Sequence, residues 1–117
     1  MLNMNPWGMI GALALIGAVY AVIAYLIGSI PTGYLIVKAK TGKDIREIGS
    51  GSTGATNVKR VLGKKWFFIV MFLDALKGAL PVVLAGYFSA DYNIEGIFPV
   101  IAAIFVIIGH SKPFFLG

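Results

Sequence analysis

The sequence predicts an all-α, polytopic helical membrane protein. It should have about three transmembrane helices and a glycine-rich loop between the first two. Three observations carry this. Of 117 residues, 58% are hydrophobic and 13% charged, about half the charged share of a soluble domain. The apolar residues gather into three runs, and most of the basic residues fall between the first two. The length fits one domain, 1–117. No cysteine is present, so neither a disulfide framework nor thiolate chemistry enters.

From Trp7 to Val37 no residue is charged. About 20 apolar residues cross a bilayer core, which places a first span at about 8–30. A cleaved signal peptide would need basic residues ahead of the apolar run, and Met1–Gly8 contains no Lys or Arg. A true span is the better reading. The second span, 66–88, follows Lys64 and Lys65 and carries Asp74 and Lys77 inside it. The third run, Ile97–Ile108, is short for a span, so the crossing is extended to 94–110.

The loops give the orientation. Lys38, Lys40, Lys43, Arg46, Lys59, Arg60, Lys64 and Lys65 all lie at 38–65. Ser89–Gly96 holds Asp91 and Glu95 and no basic residue. The positive-inside rule then puts 38–65 in the cytoplasm and the N-terminus outside. His110 and Lys112 return to the cytoplasmic side. A net charge of +5 raises nucleic acid as a partner. Its confinement to one loop of a lipid-like chain points instead to the bilayer surface and to small anions.

The loop reads "REIGSGSTGATNVKRVLGKK". Gly49, Gly51 and Gly54 match G-x-G-x-x-G, and Asp74 lies about 20 residues on. That fingerprint needs a βαβ unit around it, and this chain has none. A P-loop fails as well, because Gly63-Lys64 is followed by Lys65 rather than Ser or Thr. The underlying physics still applies. Glycines let backbone N–H groups approach an anion. Ser50, Ser52, Thr53, Thr56 and Asn57 add donors. A helix expected from Val58 offers its N-terminus, and Lys59 and Arg60 add charge. The blander reading is a flexible linker whose basic residues, Arg60 among them, snorkel to headgroups.

Asp74 and Lys77 lie about 13 and 18 Å into the second span, counted from Lys65. Their spacing puts them on one helix face, together with Gly78 and Pro81, where they can pair. Ionisable residues at such depth mark a function by default. A helix-locking ion pair is the equal alternative.

In order along the chain, "GSIPTGYLIVK", "DIREIGSGSTGATNVKRVLG", "FLDALKG" and "GHSKPFFLG" resemble the bacterial acyl-phosphate:glycerol-3-phosphate acyltransferases, from about Ile23 to Gly117. The family pattern G-S-G-N-x-G-A-T-N-x-x-R is met at Gly49–Arg60, with Ser52 in place of Asn. The resemblance implies a bacterial inner-membrane enzyme of phospholipid synthesis. Such an enzyme moves a fatty acyl group from acyl phosphate to glycerol-3-phosphate, giving lysophosphatidic acid, with no cofactor and no metal. It implies a phosphate-binding set of Gly49, Ser50, Gly51, Ser52, Gly54, Thr56, Asn57 and Arg60. It also places Ser29 and Asn57 at the site; His110, which returns to the same face, joins them as a catalytic candidate, with Asp74 and Lys77 as possible supports. His110 would orient the hydroxyl or shuttle its proton, or else cap a helix. The family continues past this point into a second glycine- and lysine-rich loop. The resemblance therefore implies an N-terminal portion, inactive alone. The competing class is a non-catalytic membrane protein, either a transport subunit or a regulator whose basic loop binds anionic lipid.

Overall fold

The computed structural model describes residues 5–90 and 96–116. Among them there is no strand, and five α-helices follow in order: α1 Pro6–Gly28, α2 Thr32–Thr41, α3 Ala55–Leu62, α4 Lys64–Ser89 and α5 Ile97–Ser111. Short 3-10 turns stand at Ile45–Glu47 and Phe114–Leu116. Asp91 and Glu95, Ile94 at the expected start of the third span, and Met1–Met4 lie outside the described residues. Three stretches are long and apolar enough to cross a bilayer: Pro6–Thr41, Lys64–Ser89 and Ile97–Leu116.

α1 starts where its sequence supplies a cap. The Asn5 side-chain oxygen accepts from the Gly8 N–H at 2.6 Å, and Pro6 occupies the first turn, where its missing N–H costs nothing. The helix runs for 23 residues, about 34 Å. It ends at Ser29 because Pro31 has no N–H to continue the ladder and disfavours helix at Ile30. The first apolar run is therefore two helices with a break at 29–31. α2 stops at Gly42, whose φ of 73° is left-handed and suits glycine at a helix end.

Helix packing follows small residues. α1 buries Gly17, Ala21, Ala24 and Gly28, and α5 buries Phe98, Ala102, Val106 and Gly109 against them. Lipid tails are as apolar as leucine, so helices associate in a bilayer through close backbone approach. At the end next to the α1–α2 break that approach is extreme. A methyl on Gly28 would overlap the Val106 carbonyl, and one on Gly109 would overlap the Tyr25 carbonyl. A bulky pair closes the far end, with Tyr20 and Phe98 rings 5.1 Å apart. On α4 the buried residues Val70, Pro81, Ala85 and Ser89 mark one stripe. Leu15, Val19, Phe72, Val83 and Ile107 are exposed. A belt of that kind would be an aggregation hazard in water and is the ordinary lipid face of a membrane bundle.

The connection between α2 and α4 is itself folded. Val37, Ile45, Val58 and Val70 form a second buried cluster, with Tyr34, Val61, Leu62 and Trp66 around it. α3 begins at Ala55 rather than at Val58, three residues earlier than its sequence suggested. Gly54 stands in extended conformation as its N-cap. Ala55 then joins Val61 and Leu62 against the cluster, which requires the extra turn. Lys40 lies over the Trp66 ring at 4.6 Å, an arrangement suited to an interfacial aromatic.

Candidate functional site

The ends of α1 and α5 and the glycine loop converge on one open groove of about 710 Å³. Its lining includes Tyr25, Arg46, Gly51, Thr53, His110 and Lys112. Two contacts assemble it. Gly33, just after the break, lies so close to the Thr53 carbonyl that a Cβ would overlap it. The Tyr25 hydroxyl donates to the Lys112 carbonyl at 2.9 Å, which ties the end of α5 to α1.

The loop turns through Gly49 and Gly51, at φ 54° and 75°, values at which other residues are strained. Much of its hydrogen bonding is internal. The Gly51 N–H donates to the Ile48 carbonyl at 2.9 Å, Ser52 N–H to Ser50 Oγ at 3.4 Å and Gly54 N–H to Ser52 Oγ at 3.0 Å. The N-terminus of α3 has no side-chain cap, which leaves its first N–H groups without a side-chain acceptor.

Asn57 sits behind the loop, 1% exposed. Its Nδ2 donates to the carbonyls of Ile48 at 2.8 Å, Ser52 at 2.9 Å and Ile45 at 3.4 Å. An amide nitrogen has two protons, so both are spent on the loop backbone. Its Oδ1 has no partner and faces Gly49, where a Cβ would overlap it. Asn57 thus shapes the glycine turn from within. Ser29 is likewise buried, with Oγ donating to the Tyr25 carbonyl at 2.7 Å.

Of the residues expected from sequence, Gly51 and His110 line the groove. Gly49, Ser50, Ser52, Gly54, Thr56 and Arg60 belong to the adjoining loop and α3, outside that lining. Lys77 and Asp74 pair as their spacing predicts, Nζ to Oδ1 at 3.2 Å. They line a separate cavity of about 320 Å³ that His110 also borders.

Arg46 is the residue that sequence reasoning passed over as a site member. It was visible as the basic residue at the mouth of the glycine motif. Its Nε and Nη2 grip Asp44, the latter at 2.7 Å, and Nη1 donates to the Leu116 carbonyl at 3.3 Å. Three of five guanidinium donors are thereby committed, leaving one on each terminal nitrogen. The plane also lies over Tyr34 at 5.1 Å. With Lys112 and His110 it gives the groove a lining without any acidic side chain among the described residues. Such a groove can hold an anion bidentately at the edge of an apolar layer.

Hydrogen bonds from the Arg46 side chain, then its backbone N–H, hold the Asp44 carboxyl below its ordinary 3.8. The folded value lies below the unfolded one. The pair's contribution is therefore present above about pH 4 and lost as pH falls through the depressed value. A carbon-13 NMR titration of Asp44 should give a midpoint under 3.8; a midpoint at or above it would mean that the Arg46 clamp is not formed.

Three apolar helices with a basic, glycine-edged groove at one end define a class: a multi-spanning membrane protein with a polar groove at the end of its apolar helices. Residues 18–117 match the family model described as glycerol-3-phosphate acyltransferase, and the chain belongs to that family. The chain is 48% identical over 118 residues to the glycerol-3-phosphate acyltransferase of Trichormus variabilis, covering 90% of this chain and 52% of the relative. It is 47% identical over 102 residues to that of Staphylococcus haemolyticus, covering 84% and 50%. The chain thus spans about half the length of the curated relatives it matches. The fold is similar to crystal structures of PlsY (YgiH), an integral membrane glycerol 3-phosphate acyltransferase. Its glycerol 3-phosphate form gives TM-score 0.75 and 40% identity, covering 86% of this chain and 48% of that one. Its lysophosphatidic acid form gives 0.70 and 37%, covering 86% and 47%.

Proposed function

We propose that this chain supplies the glycine-loop half of a site that transfers an acyl group from acyl phosphate to glycerol-3-phosphate, giving lysophosphatidic acid. The observation that carries this is the groove, where Arg46, His110 and Lys112 meet the Gly51 turn beside apolar helices. Both substrates carry phosphate, which suits a cationic lining and a helix N-terminus without a side-chain cap. One carries a fatty chain, which suits a groove opening between apolar helices. Acyl phosphate is already activated, so no protein nucleophile is required. Positioning and charge stabilisation suffice. Arg46 holds a phosphate through its two free donors. The N-terminus of α3, with Ser50, Ser52 and Thr56 near it, receives the second phosphate, and Arg60, in the last turn of α3 with its Cδ beside Gly49, adds charge. His110 orients the attacking hydroxyl. Asn57 acts by fixing the loop, and Ser29 by fixing the end of α1.

The test is a chimera in which this chain replaces the matching segment of the Trichormus variabilis enzyme. Lysophosphatidic acid should form from acyl phosphate and glycerol-3-phosphate, with one inorganic phosphate released per product. An inserted, folded chimera that forms none would overturn the reading.

The groove and loop belong on the cytoplasmic side of a bacterial inner membrane, by the eight-to-zero split of basic residues between 38–65 and 89–96. The chain has no cysteine, so single reporters are clean. A cysteine at Lys43 should resist an impermeant thiol reagent in intact cells, and one at Asn93 should react. Labelling of the Lys43 site from outside would reverse the topology.

A further inference from the structure

We infer that Lys77 is a positioning residue that latches the break between α1 and α2, and through it both walls of the groove. The break leaves a carbonyl to be satisfied. Pro31 disfavours helical backbone at Ile30, so the Ile30 carbonyl lies outside the ladders of both α1 and α2. The Ile30 carbonyl takes two donors, the Thr32 N–H at 3.0 Å and Lys77 Nζ at 2.8 Å. The second comes from another helix, 47 residues along the chain. Asp74 holds the ammonium in place at 3.2 Å, and the two side chains are 19% and 11% exposed. Lys77 lies thirteen residues into α4 from Lys64, about 20 Å along its axis. A charge at that depth is costly unless paired.

The position of the break sets the groove. Ser29, immediately before Ile30, packs against Gly109, the neighbour of His110. Gly33, three residues after Ile30, packs against the Thr53 carbonyl of the glycine loop. A shift at Ile30 therefore moves the His110 side and the loop side together. The cavity bordered by Asp74, Lys77 and His110 leaves room for that movement once the latch is released. The role in the groove rests on the acyltransferase reading; the latch itself does not.

A mutual-neutralisation role and a latch role part company in one double variant. Asp74→Leu/Lys77→Met removes both charges and leaves neither unpaired. Replacing a buried ion pair by apolar residues is often neutral. If the two residues only neutralise each other, nothing else should change. If Lys77 latches the break, amide exchange over 28–36 and 49–54 should rise about tenfold or more in the chain reconstituted in nanodiscs, the size expected for one hydrogen bond to a charged group. Lys77→Arg, which keeps a cationic donor, should stay within about twofold of the parent. Unchanged exchange in the double variant would overturn the latch. So would a loss of helix throughout the chain, because the pair would then hold the whole bundle rather than the break. In the chimera, the double variant should lower kcat/KM for glycerol-3-phosphate about tenfold, and Lys77→Arg alone should stay within about twofold of the parent. A chimera inactive even with Asp74 and Lys77 in place counts against the acyltransferase reading alone, since exchange still judges the latch.

Discussion

Arg46→Ala in the chimera should lower acyl transfer by about 10²–10³-fold, the loss expected when one preorganised charge-stabilising donor is removed. The side chain is already fixed before any ligand arrives. Asp44 holds one edge, the Leu116 carbonyl takes Nη1 and the Tyr34 ring supports the plane. Less rotamer freedom is left to lose on binding than for an untethered arginine. Arg46→Lys should recover only part of the loss, because an ammonium cannot bridge Asp44, Leu116 and a phosphate with a planar fork. Lys40→Ala is the control. Its ammonium lies over Trp66, away from the groove, and a headgroup contact is worth about 1 kcal/mol of membrane affinity and nothing in chemistry. Thr56→Ala and Arg60→Ala complete the series. A loss equal to that at Arg46 would place the α3 N-terminus in the reacting site. If Arg46→Ala and Lys40→Ala behave alike, the groove is not where phosphate is held.

The second large effect is on folding. Gly28→Ala and Gly109→Ala should each destabilise the α1–α5 contact by about 1–3 kcal/mol or more, because the new methyl meets backbone rather than a side chain that could swing aside. Gly11→Ala is the internal comparison on the same helix. A Cβ there meets nothing within 4 Å, and alanine has the higher helix propensity by about 1 kcal/mol. Thermal unfolding in detergent should therefore move in opposite directions for Gly11→Ala and Gly28→Ala. Equal shifts would show that α1 and α5 do not pack through this seam. The same substitutions should also loosen the groove, since Tyr25, Ser29 and His110 all lie within a turn of the seam.

The class of this protein was legible in its amino acids, because the signal is compositional and one-dimensional. Long uncharged runs can only be satisfied in lipid, and basic residues gathered at 38–65 mark one face. The Asp74–Lys77 pair was legible for a similar reason: a spacing of three along a helix leaves little choice of neighbour. The glycine motif suggested an anion site, because glycines let backbone N–H groups approach a charge closely. What the chain could not say locally is which side chain faces which way. Asn57 reads as a ligand donor, yet both its protons go to the carbonyls of Ile45, Ile48 and Ser52, because a tight glycine turn points those carbonyls inward and something must satisfy them. Arg46 reads as one basic residue among several, and only the return of α5 beside α1 brings Leu116, His110 and Lys112 to it. The start of α3 at Ala55 was likewise decided from outside, by the buried cluster of Val37, Ile45, Val58 and Val70. Nor could the sequence show that Lys77 reaches a carbonyl at a proline break 47 residues away. Sequence fixes what neighbours along a helix can do, whereas contacts between distant segments wait on packing.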